Sequence, residues 1–194
     1  MNIEASILLE IFRDITFTKE ESELMLTKFE QINLKKGDTL LKVNDVVYNQ
    51  YYVGSGCLRT YFMDSSAKEH TLQFAIKDWW ISDYIAIHNK EPATLTVESL
   101  KKSNIIEFNA QELSEVFTRF PEYEPFQRHI LERHVVSLHK RILNQLQLTA
   151  AERYDLFLEQ YPDTERYTRN YHIASFLGIT QESLSRIRVE KVKN

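Results

Sequence analysis

The sequence predicts an α+β chain: a double-stranded β-helix, or jelly roll, flanked by helices, then a long helix and a compact helical end. Three observations predict it. Short β-rich runs separated by turn residues fill the stretch from Gln31 to Phe108. The stretch from Phe126 to Leu148 holds no glycine or proline and carries apolar residues at heptad spacing. Residues 170–194 read as two short amphipathic helices broken at Gly178, a helix-turn-helix pattern.

Residues 3–14 and 18–30 read as two helices, with Ile7, Leu8, Ile11 and Phe12 at helical spacing in the first and Leu24, Leu26 and Phe29 in the second. Thr18 fits an N-cap and Glu21, three residues on, its capping-box partner. The β region follows as INL, TLL, QYYV, CLRTYFM, HTLQFAI, TLTVES and NIIEF. Lys36-Gly37-Asp38, Gly54-Ser55-Gly56 and Asp64-Ser65-Ser66 supply its turns. Strands of this length and spacing fit a double-sheet jelly roll. Trp79 and Trp80 are adjacent, so in a strand they point to opposite faces.

Pro121 and Pro125 mark the start of the long helix, since proline is tolerated in a first turn. Leu131, Val135, Leu138 and Ile142 follow spacings of 4, 3 and 4, an a/d seam, and Ile130, Val136, Leu143 and Leu146 add a second apolar edge. This is more apolar surface than one small domain covers, so pairing with a second copy of the chain is expected beyond packing on the chain's own sheet. Thr149 and Glu152 form a second capping box for a helix reaching Gln160, which Tyr161-Pro162-Asp163 ends.

Composition narrows the function classes. The 194 residues correspond to about 1.3 domains at one per 150. Apolar residues at 43% and charged residues at 27% argue against disorder. No apolar run approaches the roughly 18 residues of a membrane span, so no membrane partner is expected. The N-terminal MNIEASILLEIFRDITF has acids within its apolar stretch and reads as an amphipathic helix rather than a signal peptide. A single cysteine, Cys57, leaves no internal disulfide and no multi-cysteine zinc or iron–sulfur site. A cytoplasmic protein with no cofactor and no metal is the expectation. The net charge is −4, yet Arg166 to Asn194 carry six basic residues against Glu182 and Glu190. The end is therefore +4 and the body −8, which fits a localised anionic partner.

In the last 25 residues, NYHIASFLGITQESLSRIRVEKVKN, the face Ile173, Ala174 and Leu177 is apolar and Gly178 breaks the helix. Thr180 caps the next one, and Leu184 and Ile187 face inward. Ala174 leaves room for a close helix crossing. At 100° per residue, Gln181, Glu182, Ser185, Arg186 and Arg188 lie on the outer side. Glutamine pairs with adenine, arginine with guanine, and glutamate accepts from cytosine, so this face suits the major groove of double-stranded DNA.

The whole chain resembles the Crp–Fnr family of bacterial transcription regulators, through KKGDTLL and YYVGSGCLRTYF in the β region, the long helix and IASFLGITQESLSRI at the end. The resemblance implies a cyclic-nucleotide-binding-like β-roll sensor over 1–120, a dimerisation helix over 121–148 and a winged-helix-type helix-turn-helix over 149–194. It suggests Gln181, Glu182 and Arg186 as base readers and Asn170, Tyr171, Thr180 and Ser183 as phosphate neighbours. A homodimer on an inverted-repeat operator follows, with a small-molecule effector in the roll and RNA polymerase as partner where the regulator activates. The chain ends soon after the second helix, so a wing is expected to be missing or very short.

Departures from the family pattern fall at the effector pocket. Cyclic-AMP binders carry F-G-E-L and R-[ST]-A segments; the corresponding stretches here are Trp80-Ile81-Ser82-Asp83-Tyr84 and Ala93-Thr94-Leu95. The arginine that would grip a phosphate is Ala93, and the carboxylate of Asp83 would repel one while still suiting a hydroxyl. Trp80, Ser82, Asp83, Ala93 and Thr94 are therefore the expected effector-pocket residues, with cyclic AMP bound poorly or not at all.

Two other readings compete. A cupin-like jelly-roll enzyme needs a His-x-His cluster, but His70, His88, His129, His134, His139 and His172 form none, and no catalytic residues are nominated. A protein-interaction module with a vestigial DNA-binding domain would not need Arg186 and Arg188.

Overall fold

The computed structural model describes residues 5–13 and 15–193. Two helices open the chain, α1 (Ala5–Ile11) and α2 (Lys19–Leu26). The ends of the helix expected over 3–14 lie at residues 3, 4 and 14, outside the described residues. Thr18 caps α2 with its capping box to Glu21 complete. The second helix is shorter than expected. Thr27 caps it, and Phe29 instead opens a strand opposite Phe108.

Eight strands follow: β1 (Phe29–Leu34), β2 (Thr39–Leu41), β3 (Asn49–Ser55), β4 (Cys57–Met63), β5 (Glu69–Ile76), β6 (Trp80–Ile81), β7 (Thr96–Ser99) and β8 (Ser103–Asn109). They form two antiparallel four-stranded sheets, in the orders β1-β8-β3-β6 and β2-β7-β4-β5. Helix α3 (Tyr84–Asn89) interrupts the strands between β6 and β7.

Alternation along the strands explains why these runs are apolar on both sides. Val53, Leu58, Ala75 and Ile105 point between the sheets into one core cluster. Their neighbours Tyr52 and Ile106 point outward beneath α1, α2 and α4 (Ala110–Arg119), where Phe12, Phe29, Phe108 and Phe117 fill a second cluster. Cys57 and Phe74 point out of the other sheet into a third. Gly56, at φ +106°, joins β3 to β4, and a side chain there would collide with Ser103.

The long helix is α5 (Glu124–Gln147), preceded by a 3₁₀ turn over Pro121–Tyr123 and with Pro125 in its first turn. The expected start at Pro121 and Pro125 thus falls on the 3₁₀ turn and the first turn of the helix. Helix α6 (Ala150–Gln160) has the Thr149–Glu152 capping box. A 3₁₀ turn over Thr164–Arg166, α7 (Asn170–Leu177) and α8 (Gln181–Lys193) complete the described fold. Gly178, at φ +69°, ends α7: its N–H reaches Ser175 O at 3.2 Å and the Ile179 N–H reaches Ala174 O at 3.0 Å.

The C-terminal helices pack on the roll. Phe74 of β5 meets the rings of Phe157, Tyr161 and Phe176 at centroid distances of 5.7, 5.7 and 5.2 Å. Strand β5 is a sheet edge, and α7 covers it. Ser175 Oγ donates to Glu69 O at 3.1 Å and accepts the Thr71 N–H at 2.8 Å, so one hydroxyl satisfies two edge groups. Beneath α7, the fully buried Arg59 is held by Glu98 at 2.6 Å and Glu69 at 2.7 Å and lies over the Tyr61 ring.

Candidate functional site

Asp83 sits where β6 turns into α3 and is fully buried. Its Oδ1 accepts the Ala86 N–H at 3.1 Å. Its Oδ2 accepts the Thr94 N–H at 2.8 Å, the Thr94 hydroxyl at 3.1 Å and the Leu95 N–H at 3.0 Å. Three main-chain donors and a hydroxyl thus converge on a carboxylate supplied by the chain itself. Ala93, also buried, adds no cation. The neighbouring Ser82 hydroxyl is spent on Asn49 O at 2.7 Å.

Beside this cradle lies a cavity of about 670 Å³, walled by the roll, α5, α6 and α7. Of the residues expected at an effector pocket, Ser82 and Asp83 line it. Trp80 instead packs on Tyr52 and Phe108 in the cluster under α1, Thr94 belongs to the Asp83 cradle, and Ala93 packs in the core between the sheets. Trp79 takes the place at the cavity wall, against Tyr161 at 5.6 Å. The cause is local. Asp78 has φ +71° and turns the chain, so strand alternation begins only at Trp80.

Two arginines line the cavity. Arg141 of α5 donates to the main-chain oxygens of Leu72 and Thr71 on β5 and stacks over Phe176 at 4.5 Å. Arg153 of α6 bonds Leu148 O at 2.7 Å and Leu177 O at 3.3 Å, the C-terminal ends of α5 and α7, where helix dipoles favour a cation. Burial lowers the Arg141 pKa and that of His134, which also lines the cavity. Cys57 is buried and its thiol is pushed up to about 11 by that burial, so it is a poor nucleophile.

On the C-terminal corner, Leu184 and Ile187 of α8 are buried against Ile173, Ala174 and Leu177. Gln181, Glu182, Ser185 and Arg186 are exposed on its outer side. Main-chain hydrogen bonding at the helix start, together with the Thr180 hydroxyl, holds the Glu182 pKa below its usual range. Thr180 Oγ1 accepts the Ser183 N–H at 3.2 Å and so caps α8. Among the described residues Arg186 makes no ion pair. Arg188 does: it reaches Glu165 at 2.5 Å, Tyr154 Oη at 3.0 Å and Asn170 Oδ1 at 2.6 Å. Tyr171 accepts from Arg169 at 3.2 Å. Sequence pattern gives no sign of the Arg188–Glu165 pair, because the partners lie on separate elements. Along α5, Leu131, Val135, Leu138 and Ile142 are 42–54% exposed, and the helix buries none of its residues.

The chain matches the cyclic nucleotide-binding domain family over residues 31–120. It is 23% identical over 169 residues to the transcriptional regulatory protein btr of Bordetella pertussis, covering 81% of this chain and 69% of that protein. Among solved structures, FixK2 from Bradyrhizobium japonicum is similar with a TM-score of 0.70 at 15% identity, over 84% of this chain and 83% of FixK2. A CooA mutant from Carboxydothermus hydrogenoformans gives 0.68 at 19%, over 96% and 84%. The c-di-GMP-responsive global regulator CLP of Xanthomonas campestris gives 0.67 at 12%, over 91% and 92%. The β-roll thus matches the cyclic nucleotide-binding domain family, and the chain is similar to a transcriptional regulator and shares the fold of FixK2, CooA and CLP. Residues 31–120 match that domain, although Asp83 and Ala93 do not fit a nucleotide phosphate.

Proposed function

We propose that the chain is a homodimeric, sequence-specific DNA-binding transcription regulator whose β-roll senses an effector other than cyclic AMP. The observation that carries this reading is the α7–Gly178–α8 corner. Leu184 and Ile187 lock α8 inward, while Gln181, Glu182, Ser185 and Arg186 are exposed on its other side. Gln181, Glu182 and Arg186 read base edges. Thr180, Ser183, Asn170 and Tyr171 lie toward the phosphates, and Arg188 anchors α8 through Glu165 while its exposed part faces the backbone. The exposed seam Leu131, Val135, Leu138 and Ile142 pairs with the same seam of a second copy, which sets the two recognition helices about one DNA turn, roughly 34 Å, apart. Such a regulator works in the cytoplasm, is not an enzyme, and meets RNA polymerase where it activates.

The filled Asp83 cradle supports the exclusion of cyclic AMP, since a phosphate arriving there meets a carboxylate and no arginine. The test is selection of genomic fragments by the purified protein at one stated salt concentration. The expected product is a two-fold inverted repeat, and Leu131→Lys with Ile142→Lys, which breaks the seam, abolishes its enrichment. Selected sites without two-fold symmetry would overturn the dimer reading.

A further inference from the structure

We propose, on the reading of the chain as an effector-responsive regulator, that the cavity between the roll, α5 and the C-terminal helices takes an organic anion with an apolar body, its charge met by the Arg141 guanidinium. The volume of about 670 Å³ lies within the range of sites that enclose a small organic molecule. Its walls include Leu72, Trp79, Leu156 and Phe176, which suit rings or an alkyl chain rather than a sugar.

Charge decides the polar end. Lys140, Arg141 and Arg153 line the cavity on the positive side, Asp83 and Glu159 on the negative. The Asp83 carboxylate is already enclosed by its four donors and is turned to them, not to a ligand. Burial lowers the His134 pKa and so disfavours its charged form. Among the described residues neither Arg141 nor Arg153 meets a carboxylate; each donates only to main-chain oxygens. A partly desolvated guanidinium with neutral acceptors alone gains most from an anion that its planar fork can hold on two bonds. Arg153 is committed to two helix ends, so Arg141 is the group that turns. Its present partners, Thr71 and Leu72, lie on the strand edge that α7 covers. An anion on Arg141 therefore sits where the sensor roll, the long helix and the C-terminal corner meet.

The test uses the full-length protein and a matched pair of probes, 1-anilinonaphthalene-8-sulfonate and N-phenyl-1-naphthylamine, which share their rings and differ by the charge. Fluorescence titration is expected to show the anion binding about tenfold more tightly, as one charge-assisted contact provides. In Arg141→Met the anion should fall to the level of the neutral probe, whose own affinity stays unchanged. Leu156→Trp, which fills the cavity, should lose both. Near-UV circular dichroism verifies that each variant is folded. Equal binding of the two probes to the wild type, or a charge preference that survives Arg141→Met, would overturn the proposal, as would full binding by Leu156→Trp. No DNA is present in these titrations, so their failure leaves the fragment selection untouched, and failure of the selection leaves them untouched.

Discussion

Ser175 on α7 and Thr71 on β5 are 104 residues apart in sequence, and the hydroxyl of one accepts the main-chain N–H of the other at 2.8 Å. That bond, with the return bond to Glu69 O at 3.1 Å, seats the C-terminal helices on the edge of the roll.

Ser175→Ala removes both partners from a strand edge that α7 keeps from water. The expected cost is about 1–2 kcal/mol, for the unmade bonds on buried main-chain groups. In a chain of this size each kcal/mol corresponds to about 2–4 °C, so differential scanning calorimetry should read a fall of several degrees. An unchanged melting temperature would mean that α7 does not rest on β5 in solution.

Asp83→Ala leaves the N–H groups of Ala86, Thr94 and Leu95 without their acceptor. A loss of about 3 kcal/mol is expected in urea unfolding. Titration calorimetry with cyclic AMP should be silent for the wild type and remain silent for the variant, because Ala93 still supplies no guanidinium. A micromolar constant for the wild type would refute the proposed exclusion.

His172 gives stability a pH dependence. It is buried on α7 with neither ring nitrogen hydrogen-bonded to another described residue, and its pKa is lowered to about 3 by desolvation, with Arg59 and Arg169 adding to the effect. The Glu69 carboxylate 3.7 Å away is held by Arg59, and the imidazole beside it stays neutral. In the unfolded chain a histidine protonates near pH 6.5. Between those values the unfolded state holds the extra proton, so stability is fully present above about pH 6.5 and falls as the pH drops toward 3. From pH 7 to pH 5 this group should cost about 2 kcal/mol. Unfolding free energies of the wild type and His172→Phe, measured at both pH values, should differ by that amount in their pH response. Parallel curves would place the ring in water.

Arg186 and Arg188 are two residues apart and should fail differently. Arg186→Ala leaves stability unchanged and, if α8 reads DNA as proposed, weakens specific binding by about 1–3 kcal/mol while relaxing the sequence preference at one operator position. Arg188→Ala breaks the contacts to Glu165, Tyr154 and Asn170 and should lower stability by about 1 kcal/mol, a modest figure because both partners of the ion pair keep some solvent. Thermal melts and competition binding on one operator separate the two.

Much of this architecture is legible in local sequence. The capping boxes at Thr18 and Thr149 are written in four residues each, and both form. The β-rich runs fall on strands because turn residues bracket them, and Gly178 takes the left-handed conformation its place between two apolar faces requires. What escapes is set by contacts between distant segments. Phe29 looks like a helix residue by spacing, but pairing with Phe108 makes it a strand residue in the same core. Trp79, and not the expected Trp80, reaches the cavity wall because Asp78 turns the chain just before them. Asp83 reads as a group facing a ligand, and only the fold brings Thr94 and Leu95 within reach of it.

A counter-ion tethered in its own binding place has an effective concentration that dilution cannot lower. The loop before β7 and the start of α3 are therefore knitted together from the moment of folding, at any level of free nucleotide in the surroundings. If the proposed exclusion of cyclic AMP holds, a roll built this way does not report on the size of a phosphate pool. Whatever message it carries has to enter through another door.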